Sequence, residues 1–169
     1  MTAPADAAAL WKFERGVYDR GHDRIAGVDE AGRGPLAGPV VSAAVILDRD
    51  APIDGLADSK TLSPRKRESL FAEIYARAVA VGIGIVDAIE IDRINILQAS
   101  LRAMAMAVAN LRPRPDWLLI DGPFGIPAEL PQTPIPKGDG LSASIAAASI
   151  VAKVSRDHLM ARYHEDYPQ

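Results

Sequence analysis

The chain of 169 residues carries 19 Lys plus Arg against 22 Asp plus Glu, a formal charge of −3 that excludes a histone-like or polybasic binder. With 49% hydrophobic residues, 24% charged, 13 Gly and 13 Pro it is neither disordered nor collagenous, and its size predicts one domain that buries roughly two-thirds of its unfolded surface. The absence of Cys removes disulfides, thiolate nucleophiles and Cys-based zinc sites, leaves only oxygen ligands or the three His for any metal, and fits the reducing cytoplasm expected as its compartment.

Residues 1–24 read as an N-terminal segment: an Ala-rich mobile start with Asp6 and no positive stretch, a short helix over about residues 7–18, and a turn at Asp19-Arg20-Gly21-His22-Asp23-Arg24. No apolar stretch reaches about 18 residues, so no membrane span or membrane partner is expected. Residues 25–30 form an apolar run closing on two acids, and after a Gly-rich loop the β-branched residues 40–47 form a second strand. Ser63-Pro64 opens a helix through about residue 77, and residues 79–86 alternate Val, Gly and Ile as a third strand. Asp87 with Glu90 resembles a capping box, from which one long helix runs along the stripe Ile94, Leu97, Leu101, Met104, Val108 and Leu111 until Pro113 and Pro115 stop it. Residues 117–121 form a strand ending on a carboxylate. The Pro-rich residues 122–136 are expected to hold no regular structure, and Lys137-Gly138-Asp139-Gly140 closes them. From residue 142 to about 163 a final helix carries many Ala and Ser, which let its backbone lie close to another surface. The order predicts an α/β domain over residues 25–169 with a mixed central sheet, its first three strands antiparallel, flanked by helices.

Asp29, Glu30, Asp121 and Asp139 stand where strands stop or just before the last helix, the edge at which α/β sheets gather ligands. Three or four acids converging without His or Cys suit a pair of hard dications, Mg²⁺ or Mn²⁺. Any one of them alone has an ordinary reading, because Asp favours turns and helix starts. His22, His158 and His164 show no metal spacing.

The loop Gly32-Arg33-Gly34-Pro35-Leu36-Ala37-Gly38 has three readings. It matches the dinucleotide fingerprint G-x-G-x-x-A of an oxidoreductase, although Pro35, Val40 and Val41 oppose the helix that fingerprint needs. It serves also as a glycine-permitted connection between strands, which leaves Arg33 and the neighbouring acids as accident, or as a nest of N–H groups with a guanidinium for a phosphodiester beside the acids, which uses every residue of the loop. Ser149, Lys153 and Arg156, at i, i+4 and i+7, share one helix face suited to phosphate contacts, and Lys60 offers a further cation; the plain alternative is a solvated face, and a binding module without catalysis would need only these.

The block Asp29-Glu30-Ala31-Gly32-Arg33-Gly34-Pro35-Leu36-Ala37-Gly38-Pro39-Val40-Val41 resembles the signature segment of bacterial ribonuclease HII, the type 2 ribonuclease H. The likeness continues through Asp58-Ser59-Lys60, Asn95-Ile96-Leu97-Gln98-Ala99-Ser100, Leu119-Ile120-Asp121-Gly122, Lys137-Gly138-Asp139 and the stretch from Ala147 to Asp157. It implies an RNase H-like fold and a metal-dependent endonuclease. Such an enzyme cuts on the 5′ side of ribonucleotides in RNA–DNA hybrids, or of single ribonucleotides in duplex DNA, leaving 3′-OH and 5′-phosphate ends in replication and repair. Its two-metal carboxylates fall on Asp29, Glu30, Asp121 and Asp139, and its Gly-Arg-Gly sensor of the 2′-hydroxyl on Gly32, Arg33 and Gly34. Asp29 would bridge the metals, Glu30 and Asp121 would each hold one side, and Asp139 would be the most mobile. Adjacent Asp29 and Glu30 should face opposite ways on a strand, so either the strand ends there or Glu30 swings round. A monomer is expected. The family continues beyond Tyr167-Pro168-Gln169 into a His-Lys-Gly-Tyr segment whose tyrosine packs on the junction sugar; Tyr163 and Tyr167 do not match that position, and that family segment is expected to be missing.

Overall fold

A computed structural model describes residues 4–34 and 37–168; residues 1–3 of the expected mobile start, Pro35 and Leu36 of the Gly-rich loop, and Gln169 lie outside the described residues. Helices α1 (Pro4–Leu10) and α2 (Lys12–Tyr18) replace the single helix expected over residues 7–18. Trp11 at the joint has left helical geometry (φ −96°, ψ 7°), and it packs with Leu10 against the hydrophobic core.

The sheet comprises β1 (Ile25–Ala31), β2 (Val40–Ile46), β3 (Ala80–Val86), β4 (Trp117–Asp121) and β5 (Gln132–Ile135), in the order β3-β2-β1-β4-β5. The first three strands are antiparallel as predicted, whereas β4 joins β1 in parallel and β5 joins β4 in parallel. Strand β5 corrects the expectation of an irregular stretch over residues 122–136. It is an edge strand, where proline is tolerated if its missing N–H would have faced outward. Leu118 N–H donates to Pro131 O and Gly122 N–H to Ile135 O, so the odd residues of this segment face β4 and Pro134 faces away from it.

Helices cover both faces. Alternate residues Ala43, Val45 and Leu47 pack under α3 (Pro64–Arg77) and α6 (Ala143–Asp166), while Ala26, Val28, Ala44 and Ile46 pack against Met104, Ala107 and Val108 of α5 (Ile96–Ala109). The chain enters β2 from the Gly-rich loop, so among the described residues no helix follows those glycines and the dinucleotide fingerprint lacks its context.

The long helix expected from Asp87 is two: α4 (Ala88–Ile94), capped by Asp87, and α5. Asn95 separates them at φ 77°, ψ 166°, a region almost reserved for glycine, while its side chain caps α5 by accepting from Gln98 N–H at 3.0 Å. The apolar stripe continues across the break, which is why periodicity alone does not reveal it. Asn95→Ala should lose both the cap and the tolerance, about 2 kcal/mol, whereas Asn95→Gly should stay within about 1 kcal/mol of the parent in urea titration. Equal midpoints for the two variants would show that the joint is unstrained.

The N-terminal helices are tied to the sheet domain by a buried carboxylate. Glu14 on α2 is fully buried and accepts from Ser142 Oγ and from Ser144 N–H at 2.9 Å, at the start of α6.

Candidate functional site

Strand β1 stays in register with β4 only as far as Val28↔Ile120, but remains paired with β2 through Ala31↔Val41. Asp29 and Asp121 each follow the last paired residue, so they stand together where the two strands part. Strand β1 does not end at Asp29, which was one of the two ways expected for Glu30 to join its neighbour. What ends is the ladder to β4. That leaves the rim open to the longer Glu30 side chain, and carboxylate oxygens of Asp29, Glu30 and Asp121 lie within 4.8 Å of one another.

Three acids this close, Asp29 buried and Glu30 and Asp121 half-buried, with little compensating charge, disfavour full ionisation. Asp29, only 4% exposed, is pushed well above the usual carboxylate range, first by burial and then by the charges of Asp121 and Glu30, against one favourable hydrogen bond from Glu30 N–H at 2.8 Å. Burial and Asp121 likewise raise Glu30, and Arg33, 3.7 Å away, partly offsets this. Glu30 Oε2 is buried without a partner among the described residues. An all-oxygen donor set with an orphaned oxygen fits a hard dication such as Mg²⁺ or Mn²⁺ better than it fits the protein alone.

Asp139 lies in a short 3-10 turn, Gly138–Gly140, and lines the same cleft without joining the three-carboxylate group among the described residues. Its backbone N–H donates to Asp121 Oδ1 at 3.2 Å. Burial and the charges of Asp121 and Asp58 raise its carboxyl to about 6. Asp58 is a neighbour that the sequence reading leaves without a role, as is Ser59, 5% exposed, which accepts from Ser149 Oγ at 2.7 Å. The Asp58-Ser59-Lys60 run was the available signal, but a cation is easier to recognise in a sequence than the serine and acid beside it.

All eleven predicted site residues, with Ala31 and Ser59, line one cleft of about 420 Å³. Arg33 and Lys60 are exposed cations at its edge. Among the described residues Lys153 is held only by Asp157, at 2.9 Å on the next turn, an exposed pair of the weak kind that a phosphate can displace. Arg156 shares the helix face as predicted, but it is 7% exposed and donates to the carbonyls of Pro39 and Ala37, so it is not poised like the two lysines.

The raised carboxyls set a pH dependence. An acid whose folded pKa exceeds its unfolded one favours folding below the unfolded value, and loses that contribution as pH rises through the folded value. Asp29, Glu30, Asp139 and the buried Glu14 all have this sign, with Asp139 spanning 3.8 to about 6. Without metal, stability in urea should therefore fall as pH rises from about 4 through about 6. A stability that is flat or rising over that interval would contradict the burial of these acids.

The Ribonuclease HII family model matches residues 26–169. A ribonuclease HII of Geobacillus thermodenitrificans is 59% identical over 160 residues, covering 95% of this chain and 61% of that protein. One from Geobacter metallireducens is 59% identical over 160 residues, covering 95% of this chain and 75% of that protein. The crystal structure of ribonuclease H2 from Pyrococcus horikoshii superposes with a TM-score of 0.74 at 29% identity, covering 87% of this chain and 78% of that one. The chain thus spans between about three-fifths and three-quarters of the length of these relatives.

Proposed function

This chain belongs to the ribonuclease HII family, and on that premise we propose that it is a divalent-metal-dependent endonuclease acting on RNA–DNA hybrids and on duplex DNA that carries single ribonucleotides. It cuts the phosphodiester 5′ of the ribonucleotide, leaves 3′-OH and 5′-phosphate ends, and serves ribonucleotide removal in replication and repair as a cytoplasmic monomer. The convergence of Asp29, Glu30 and Asp121 within 4.8 Å, in the cleft that also holds the Gly32-Arg33-Gly34 loop, carries this reading.

Asp29, Glu30 and Asp121 would hold the metals, with Asp139 reaching in from its turn. When bound there, a pair of dications would supply a water of lowered pKa and would offset charge on the leaving 3′-oxygen. The chain's own side chains do the rest by placement. Asp29, central and most buried, faces both other acids and suits a shared ligand. Arg33 and the N–H groups of the glycine loop lie beside the acids, where they can meet the ribose 2′-hydroxyl and its phosphate. Lys60 and Lys153 offer point charges to neighbouring phosphates, which fixes register without reading bases.

A duplex with one embedded ribonucleotide, incubated with the protein in Mg²⁺ or Mn²⁺ and in chelator, tests the reading. Metal-dependent nicking on the 5′ side is the expected result. Duplex binding without cleavage in either metal would favour a binding module instead.

A further inference from the structure

Arg156 is placed on α6 as if to grip phosphate, yet its guanidinium is spent on the protein. It is 7% exposed, its Nε donates to Pro39 O at 2.9 Å and its Nη2 to Ala37 O at 2.8 Å. Those carbonyls stand at the far end of the loop that begins at Gly32. The near end rests on the same side chain: Gly32 has φ +106°, and a Cβ there would lie 2.5 Å from Arg156 Nε and 2.6 Å from Pro39 O. Gly38, at φ +94°, leaves room in the same way for Arg156 Nη2, at 3.0 Å from the position of an added Cβ, and for Met160 Sδ at 2.7 Å. Met160 follows Arg156 by one helical turn. A single buried side chain thus closes both ends of the loop, and two glycines are needed for the loop to settle on it.

We propose that Arg156 is a positioning residue: it clamps the loop so that Gly32, Arg33 and Gly34 meet the substrate sugar in one fixed geometry, and it does not bind phosphate. The role deepens the function proposed above and rests on it. Its chemistry suits a rigid fork rather than a point charge, since a lysine ammonium cannot span two carbonyls presented to adjacent guanidinium nitrogens. The contrast with Lys60, exposed, and Lys153, whose side chain is 40% exposed, separates clamp from phosphate grip by burial alone.

Arg156→Lys, Arg156→Gln and, as an independent push on the clamp without change of charge, Gly38→Ala test this, with Lys153→Ala as the phosphate-contact reference. Three readouts suffice: amide hydrogen exchange over residues 32–39 of the free protein, the salt dependence of duplex affinity, and the affinity ratio between a single-ribonucleotide duplex and an all-DNA one. All three clamp variants should speed loop exchange and cut the ratio at least roughly tenfold, because a lost or displaced guanidinium releases the carbonyls of Ala37 and Pro39, and that of the buried Pro39 is left unpaired. Their salt slopes should match the parent, while Lys153→Ala should lower its slope by about 1 and leave loop exchange alone. Unchanged loop exchange with a slope lowered by about 1 in Arg156→Gln, or a full ratio in Arg156→Lys, would overturn the clamp. If the parent itself shows no preference for the ribonucleotide, the functional reading fails, and loop exchange still decides whether Arg156 holds the loop.

Discussion

Asp29→Asn should make the metal-free protein more stable while removing its cleavage activity. The two effects have one cause. Asp29 is held well above the usual carboxylate range by burial and by the charges of Asp121 and Glu30, so near neutral pH the fold bears either a strained charge or the work of keeping a proton there. Asparagine preserves the shape, and its Oδ1 can still accept from Glu30 N–H, which now lies 2.8 Å from the carboxylate. Its amide can also donate to the remaining acids. Relief of about 1 kcal/mol or more is expected in chelator, roughly 2–4 °C in Tm for a chain of this size. The fall of stability with rising pH should flatten too, because one of the protons responsible is gone. Activity moves the other way. Losing the central carboxylate removes several kcal/mol of the charge that would hold the metals, so nicking should drop by at least about 10³-fold at saturating Mg²⁺. Mn²⁺ should raise the Tm of the parent and do so much less for the variant. A variant that nicks normally would remove Asp29 from the site; one less stable in chelator would mean that its carboxylate is not crowded.

The acids were readable because the apolar runs of β1 and β4 stop on them, and a strand that ends on a charge exposes that charge at a sheet edge. Their convergence across the alternation of β1 was not readable, since it depends on the ladder to β4 ending one residue before Asp29, a matter of register between strands about ninety residues apart. Strand β5 was hidden by its composition: Gln132, Thr133 and Pro134 carry a turn-like signal that only an edge position neutralises. The break at Asn95 was hidden for the opposite reason, a continuous apolar stripe on either side. Arg156 shows a third kind of limit. Charge and helix spacing place the residue on the correct face, but whether a guanidinium meets a phosphate or a carbonyl is decided by where a distant loop lies. Glu14 gave no signal, because its partners Ser142 and Ser144 begin the last helix and nothing local marks α2 as their neighbour.

Gly27→Ala should be among the most damaging single-methyl additions in the molecule. The Ala- and Ser-rich start of α6 predicts a helix backbone lying close to another surface, and β1 is that surface, at the one residue of the strand without a side chain. A Cβ on Gly27 would sit 2.1 Å from Ser144 C, 2.3 Å from Ile145 N and 2.3 Å from Ser144 O, all backbone atoms that no rotamer change can move. Strand and helix must separate, which places the cost at the upper end of overpacking, about 3 kcal/mol or more, or roughly 6–12 °C in Tm. The displaced helix is the one that carries Ser149, Lys153 and Arg156, and its first turn holds Glu14, so residual folded protein should also bind duplex poorly and lose nicking beyond the loss of folded fraction. Gly16, within α2 and with nothing within 4 Å of an added Cβ, is the matched control, where alanine should stabilise by about 0.5–1 kcal/mol. The comparison is a pair of urea titrations followed by nicking at a denaturant concentration and temperature where all three proteins are folded. Should Gly27→Ala retain the parent's midpoint, the helix does not lie on the strand at the distance described.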